Sequence, residues 1–136
     1  MEGIDRFIKA QENSYNHALE EIKNGRKKSH WIWYIFPQLK GLGSSEISKY
    51  YSIRSRNEAE EYIKHPVLGS RLIEISNELL KLDTNNADDV MGWPDNMKLK
   101  SSMTLFALVS DNDIFRRVLD KFFDGEMDDF TVQNLK

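Results

Sequence analysis

The chain has 136 residues, 19 Lys and Arg against 22 Asp and Glu, a formal net charge of −3, and no cysteine. That length suits one domain able to bury roughly two thirds of its unfolded surface, and the lack of cysteine excludes a disulfide framework, a thiolate nucleophile, zinc fingers and iron–sulfur ligation. With 40% hydrophobic and 30% charged residues but only seven Gly and three Pro, the expected fold is all-α: a compact single domain over 1–136 with about seven helices, several short, and no substantial sheet.

Ile4, Phe7, Ile8, Tyr15, Ala18, Leu19 and Ile22 lie three, four and seven apart, the stripe of one amphipathic helix ended by Asn24-Gly25. The aromatic run after it reads as a short buried helix over 30–36, capped by Ser29 and ended by Pro37, because no second strand is at hand to pair with it. Gly41-Leu42-Gly43 turns the chain, and Ser44 or Ser45 caps a helix through about Tyr50. Ser55 with Glu58 makes a capping box for a helix over 56–64. Pro66 opens a helix with the stripe Val67, Leu68, Leu72, Ile75, Leu79 and Leu80. Asn86 caps a short helix to Met91, Pro94 opens another through Val109, Asp113 to Phe123 forms a further one stopped by Gly125, and residues 128–136 add a last turn or two.

No apolar run approaches the roughly 20 residues that span a bilayer, and the N-terminal stretch carries acids where a signal peptide would be basic and then apolar. A soluble, cytoplasmic protein without a membrane partner is expected. Charge is uneven: residues 1–82 carry +2 and residues 83–136 carry −5, while Arg26 to Arg56 holds seven cations against the lone Glu46. Such a segment attracts an anion, whereas the overall negative charge argues against nucleic acid.

No phosphate loop, GxGxxG, HExxH or GxSxG is present. His17, His30 and His65 sit apart on different elements, so neither a metal site nor a cofactor is expected. Three constellations remain. Lys27, Lys28, Ser29, His30, Trp31 and Trp33, with Gln38 beyond, combine phosphate-binding charge with aromatic planes; the bland reading makes the indoles core anchors and the lysines a solvated face. Gly41, Gly43 and Ser45 form a turn that lets backbone approach an anion, or else an ordinary glycine turn with a serine cap. Asp95, Lys98, Ser101 and Ser102 fall on one stretch of helix, either presenting a base and hydroxyls to a ligand or simply starting an exposed helix with an ion pair.

The strings GRKKSHWIWYIFPQLKGLGSS, HPVLGSRL, DNMKLKSSMTLFALVS and FDGEMDDFT together resemble the bacterial family numbered 1810 among the domains of unknown function. The resemblance covers nearly the whole chain and implies a compact helical domain without supplying a reaction. A fold-level likeness to NADAR-type helical domains implies a group such as ADP-ribose. The expected function is a site for a small anionic ligand, phosphate- or nucleotide-bearing and possibly ADP-ribose-like, with His30 and Asp95 as the acid/base pair if catalysis occurs there. The alternative is a non-enzymatic protein-interaction module using the basic 26–56 segment. The sequence sets neither an enzymatic role nor an oligomeric state.

Overall fold

The computed structural model describes residues 3–136 as ten helices, with a single isolated bridge in place of any sheet among the described residues. The helices are α1 Asp5–Gln11, α2 Tyr15–Lys23, α3 Ile32–Ile35, α4 Glu46–Tyr50, α5 Arg56–Lys64, α6 Leu68–Leu80, α7 Ala87–Met91, α8 Asp95–Val109, α9 Ile114–Phe123 and α10 Asp129–Asn134. The all-α expectation holds, but ten helices replace about seven. None of them is long and apolar enough to cross a membrane.

At the core lies α8, where Leu99 and every residue from Ser101 to Ala107 are buried and α3, α5, α7, α9 and α10 pack around it. A helix enclosed on nearly every side has no polar face, so its apolar residues show no amphipathic stripe. The two helix-spanning networks that flank it are polar. Arg6 of α1 is buried, and its guanidinium donates to Glu58 Oε1 at 2.7 Å and Oε2 at 3.2 Å, to the carbonyls of Tyr50 (2.8 Å) and Ser52 (2.7 Å), and to Gly3 O. Gln11 Nε2 donates to Tyr34 O and to the buried Tyr62 hydroxyl, while Arg71 Nη1 donates to Gln11 Oε1.

The predicted single helix over 4–22 is two helices. The chain bends at Glu12-Asn13-Ser14, so that α1 packs on α3 while α2 packs on α6. The seven-residue step from Ile8 to Tyr15 preserves the stripe across that bend, which hides it from periodicity. Local caps follow the sequence more closely. Ser45 Oγ accepts from Ser48 N, Ser55 Oγ from Glu58 N and Asn86 Oδ1 from Asp88 N, and a further cap not expected from the sequence starts α10, where Asp128 Oδ2 accepts from Thr131 N. The Glu58 carboxylate, however, turns to Arg6 and to the Arg54 amide. Histidine supplies one cap: His65 Nδ1 accepts from the backbone amides of Val67 and Leu68 at the start of α6.

Candidate functional site

The expected site residues do not converge on one pocket. Trp31 is 2% exposed, packed in the core with its indole Nε1 donating to Glu21 Oε1 at 2.9 Å. Glu21 Oε1 also accepts the amides of Lys28 and Ser29, and its Oε2 accepts Ser29 Oγ at 2.6 Å. Ser29 therefore does not cap α3, as the sequence suggested; its hydroxyl donates to Glu21, and Trp31 occupies the cap position without a side-chain bond. Desolvation pushes the Glu21 carboxyl up, but the bonds from Ser29, the two amides and Trp31 outweigh it and bring its pKa down to about 2.

Glu21 was overlooked by motif reasoning, although one signal existed: an acid in the last turn of a helix opposes the macrodipole unless something else holds it. Removing its charge as Glu21→Gln leaves those four donors with a poorer acceptor, and an expected loss of about 2–3 kcal/mol in urea denaturation follows from the strength of hydrogen bonds to charged groups. Because the folded value lies below the ordinary 4.5, Glu21 stabilises the fold fully above pH 4.5 and loses that contribution as pH falls toward 2. Glu21→Gln should flatten the stability–pH curve across that window.

The concavity that His30 lines does not include Asp95. His30 is exposed and lines a concavity of about 220 Å³ with Ser14, His17, Ser29, Trp31 and Tyr34. Asp95 lies in the first turn of α8, where its Oδ2 meets Lys27 Nζ at 2.7 Å and its Oδ1 meets Lys98 Nζ at 3.3 Å. The two ammonium groups each sit over an indole, Lys27 over Trp31 at 5.0 Å and Lys98 over Trp33 at 4.9 Å. This cluster ties the loop after α2 to α8, with the Lys27 side chain 6% exposed. Ser101 is buried and donates to Met97 O, and Ser102 is fully buried with no hydrogen-bond partner among the described residues. Lys28 is exposed. Among the described residues no group of three or more His, Asp or Glu is placed to hold a metal ion.

Trp33, Gln38 and Gly43 line a hollow of about 10 Å³, room for no more than one water. The turn that forms its edge opens onto something larger on its other side. Lys40, Gly41, Gly43, Lys49, Ser52 and Arg54 line an open groove of about 480 Å³, within the usual range of small-molecule sites. The bridge between Leu39 and Ile53 builds it: Ile53 N donates to Gln38 O at 2.8 Å and Lys40 N donates to Ile53 O at 2.9 Å, so Lys40 and Arg54 leave the bridge side by side. Between them α4 carries Lys49 back over the turn, and Ser52 Oγ donates to Lys49 O. Gly41 has φ +105°, and a methyl group there would lie 2.7 Å from the Phe130 ring, so glycine alone permits both the turn and its contact with α10.

Three cations and no carboxylate side chain line this groove. Among the described residues Lys40 and Lys49 have no acidic partner, while Arg54 Nη1 lies 3.8 Å from Glu58. Lys40, Lys49, Arg54 and Ser52 were absent from the expected site. Their signal was the positive excess over 26–56, but spacing could not show that Lys27 is spent on Asp95 while residues 40, 49 and 54 converge. Arg26 donates to Asp89 O rather than to the groove.

The crystal structure of the conserved hypothetical protein Rv1873 from Mycobacterium tuberculosis is similar to this chain, with 42% sequence identity and a TM-score of 0.95 over 97% of this chain and 95% of that one. No curated protein matches. The overall fold is thus shared, and with residues 1–135 matched, the chain is a member of the family described as Protein of unknown function (DUF1810).

Proposed function

We propose that the chain binds a small phosphate-bearing anion in the groove of Lys40, Lys49 and Arg54. One observation carries this reading: three cationic side chains converge on a concavity of about 480 Å³ whose lining contains no acid. Cations gathered along one groove attract an anion more strongly than the same cations spread over a flat surface, and the exposed ammonium groups of Lys40 and Lys49 supply donors suited to phosphate oxygens. Gly41 and Gly43 supply backbone without side chains, which lets a compact ligand approach closely. The lysines and Arg54 that line the groove serve to bind and neutralise the phosphate.

The test is calorimetric titration with pyrophosphate, run beside a thermal-shift series. Wild-type protein is expected to bind, and the paired change Lys40→Ala with Lys49→Ala to weaken binding at least about tenfold with little change in Tm, since both lysines are exposed. Binding should weaken as salt rises. Unaltered affinity in the double variant, or binding of an acidic peptide with none of pyrophosphate, overturns the reading.

A further inference from the structure

The cationic lining does not end at the first groove. Lys40 and Arg54 also line a second concavity, of about 310 Å³, to which Arg56 and Lys136 contribute two further cations. Lys49 lines only the first hollow, and Arg56 and Lys136 only the second, so the charges run in order from Lys49 through the pair at the bridge to Arg56 and Lys136. Among the described residues neither lining contains an acidic side chain. Local structure builds this row: the bridge sets positions 40 and 54 side by side, and Ser55 caps α5, whose first residue is Arg56. Two of the cations have acids behind them. Arg54 Nη1 lies 3.8 Å from Glu58, whose carboxylate is committed to Arg6, and Arg56 Nε lies 3.6 Å from Glu60 in an exposed pair. A pair of that kind contributes little stability, so it offers little resistance to a phosphate taking the place of Glu60. Arg56 Nη2 also donates to Leu108 O at 3.2 Å, which holds the guanidinium against the end of α8.

A row of cations that is continuous through the junction fits an anion whose charge is continuous too. We infer that the ligand class is a linear oligophosphate of three or more phosphoryl groups, laid across the bridge with one end near Lys49 and the other beside Arg56. This inference rests on the anion-binding reading and narrows it. Pyrophosphate in the first groove leaves Arg56 and Lys136 unused, and a sugar with a phosphate at each end would set neutral carbons against Lys40 and Arg54, where the hollows meet. A single-stranded nucleic acid also carries continuous charge, but it draws much of its affinity from bases stacked on aromatic rings. Of the two linings, only the half-buried Phe130 supplies such a ring.

The experiment compares pyrophosphate with tripolyphosphate by calorimetry in metal-free buffer, on wild-type protein and on the double change Arg56→Gln with Lys136→Gln. Wild type is expected to bind tripolyphosphate at least about tenfold more tightly, a difference of about 1.4 kcal/mol. Rising salt should weaken tripolyphosphate the more steeply, because more of its ion pairs are screened. The double variant should erase most of the margin while keeping the pyrophosphate affinity of wild type, which also shows that it is folded. Lys136→Gln alone leaves the bond from Arg56 to Leu108 in place and should remove part of the margin. Equal affinities for the two ligands in wild type overturn the oligophosphate assignment but leave the anion site standing. A margin that survives the double variant means that the chain does not reach the second hollow, and overturns it as well. Losing both ligands in the same proportion, in the double variant and in Lys136→Gln alike, makes the hollows one undivided site and has the same consequence. A thymidine oligonucleotide that binds more tightly than tripolyphosphate makes the ligand a nucleic acid instead. Binding of neither phosphate removes both readings together.

Discussion

Replacing Arg6 by methionine is expected to destabilise the fold by about 3–5 kcal/mol, the usual cost of removing one partner from a buried ion pair. The guanidinium is fully buried and bidentate to Glu58, so the variant leaves a carboxylate 10% exposed with only the more distant Arg54 to balance it. Arg6→Lys is expected to recover little, since one ammonium cannot span both Glu58 oxygens and the carbonyls of Tyr50 and Ser52. Replacing Arg6 and Glu58 together by methionine should restore part of the loss but not all, because those two carbonyls lose their donor. Urea denaturation of the four proteins checks the series, and an Arg6→Met protein within 1 kcal/mol of wild type would contradict it.

The same pair predicts an acid limit. Burial pushes the Glu58 carboxyl up, but the bond from Arg6, the Arg54 amide and the two guanidinium charges hold it below its ordinary 4.5. The unfolded chain therefore takes up this proton more readily than the folded one. Glu58 contributes its stabilisation fully above pH 4.5 and loses it as the pH falls through the lowered folded value, in the same direction as Glu21.

Gly69→Ala is the second large effect, expected to cost about 3 kcal/mol or more, at the upper end for overpacking. Gly69 is buried in the first turn of α6, and an added methyl would overlap the Ile63 carbonyl oxygen and lie 2.9 Å from its carbon. The obstacle is backbone of α5 rather than a flexible side chain, so the two helices must separate at the corner they make around His65 and Pro66. Gly3→Ala is the control: its new methyl meets nothing within 4 Å, and its stability should stay within about 0.5 kcal/mol of wild type. Equal melting temperatures for both variants would show that the α5–α6 corner yields.

Gly69 shows how a matched string can be structural throughout. In HPVLGSRL, His65 caps α6, Leu68 and Leu72 fill the core, Gly69 admits α5 and Arg71 bonds Gln11. The string DNMKLKSSMTLF behaves likewise, with Asp95 paired to two lysines and the stretch from Ser101 to Phe106 buried. Long motifs here record packing constraints at least as much as chemistry.

What the sequence determined by itself was local. Side-chain caps at Ser45, Ser55 and Asn86 act over two or three residues, within reach of identity and spacing, although the same signs at Ser29 named a cap that Glu21 takes away. The stripe of α6 and the all-α class follow from periodicity in the same way. Tertiary structure alone decided where the charges went. Lys27 and Asp95, Arg6 and Glu58, and Glu21 with the Trp31 indole pair because helices fold back and bring them within bonding distance. A sequence lists seven cations from Arg26 to Arg56 without saying which are spent internally. Folding neutralises Lys27 against Asp95 and gathers Lys40 and Lys49 around one groove beside Arg54, which also reaches Glu58, because the bridge between Leu39 and Ile53 sets positions 40 and 54 side by side.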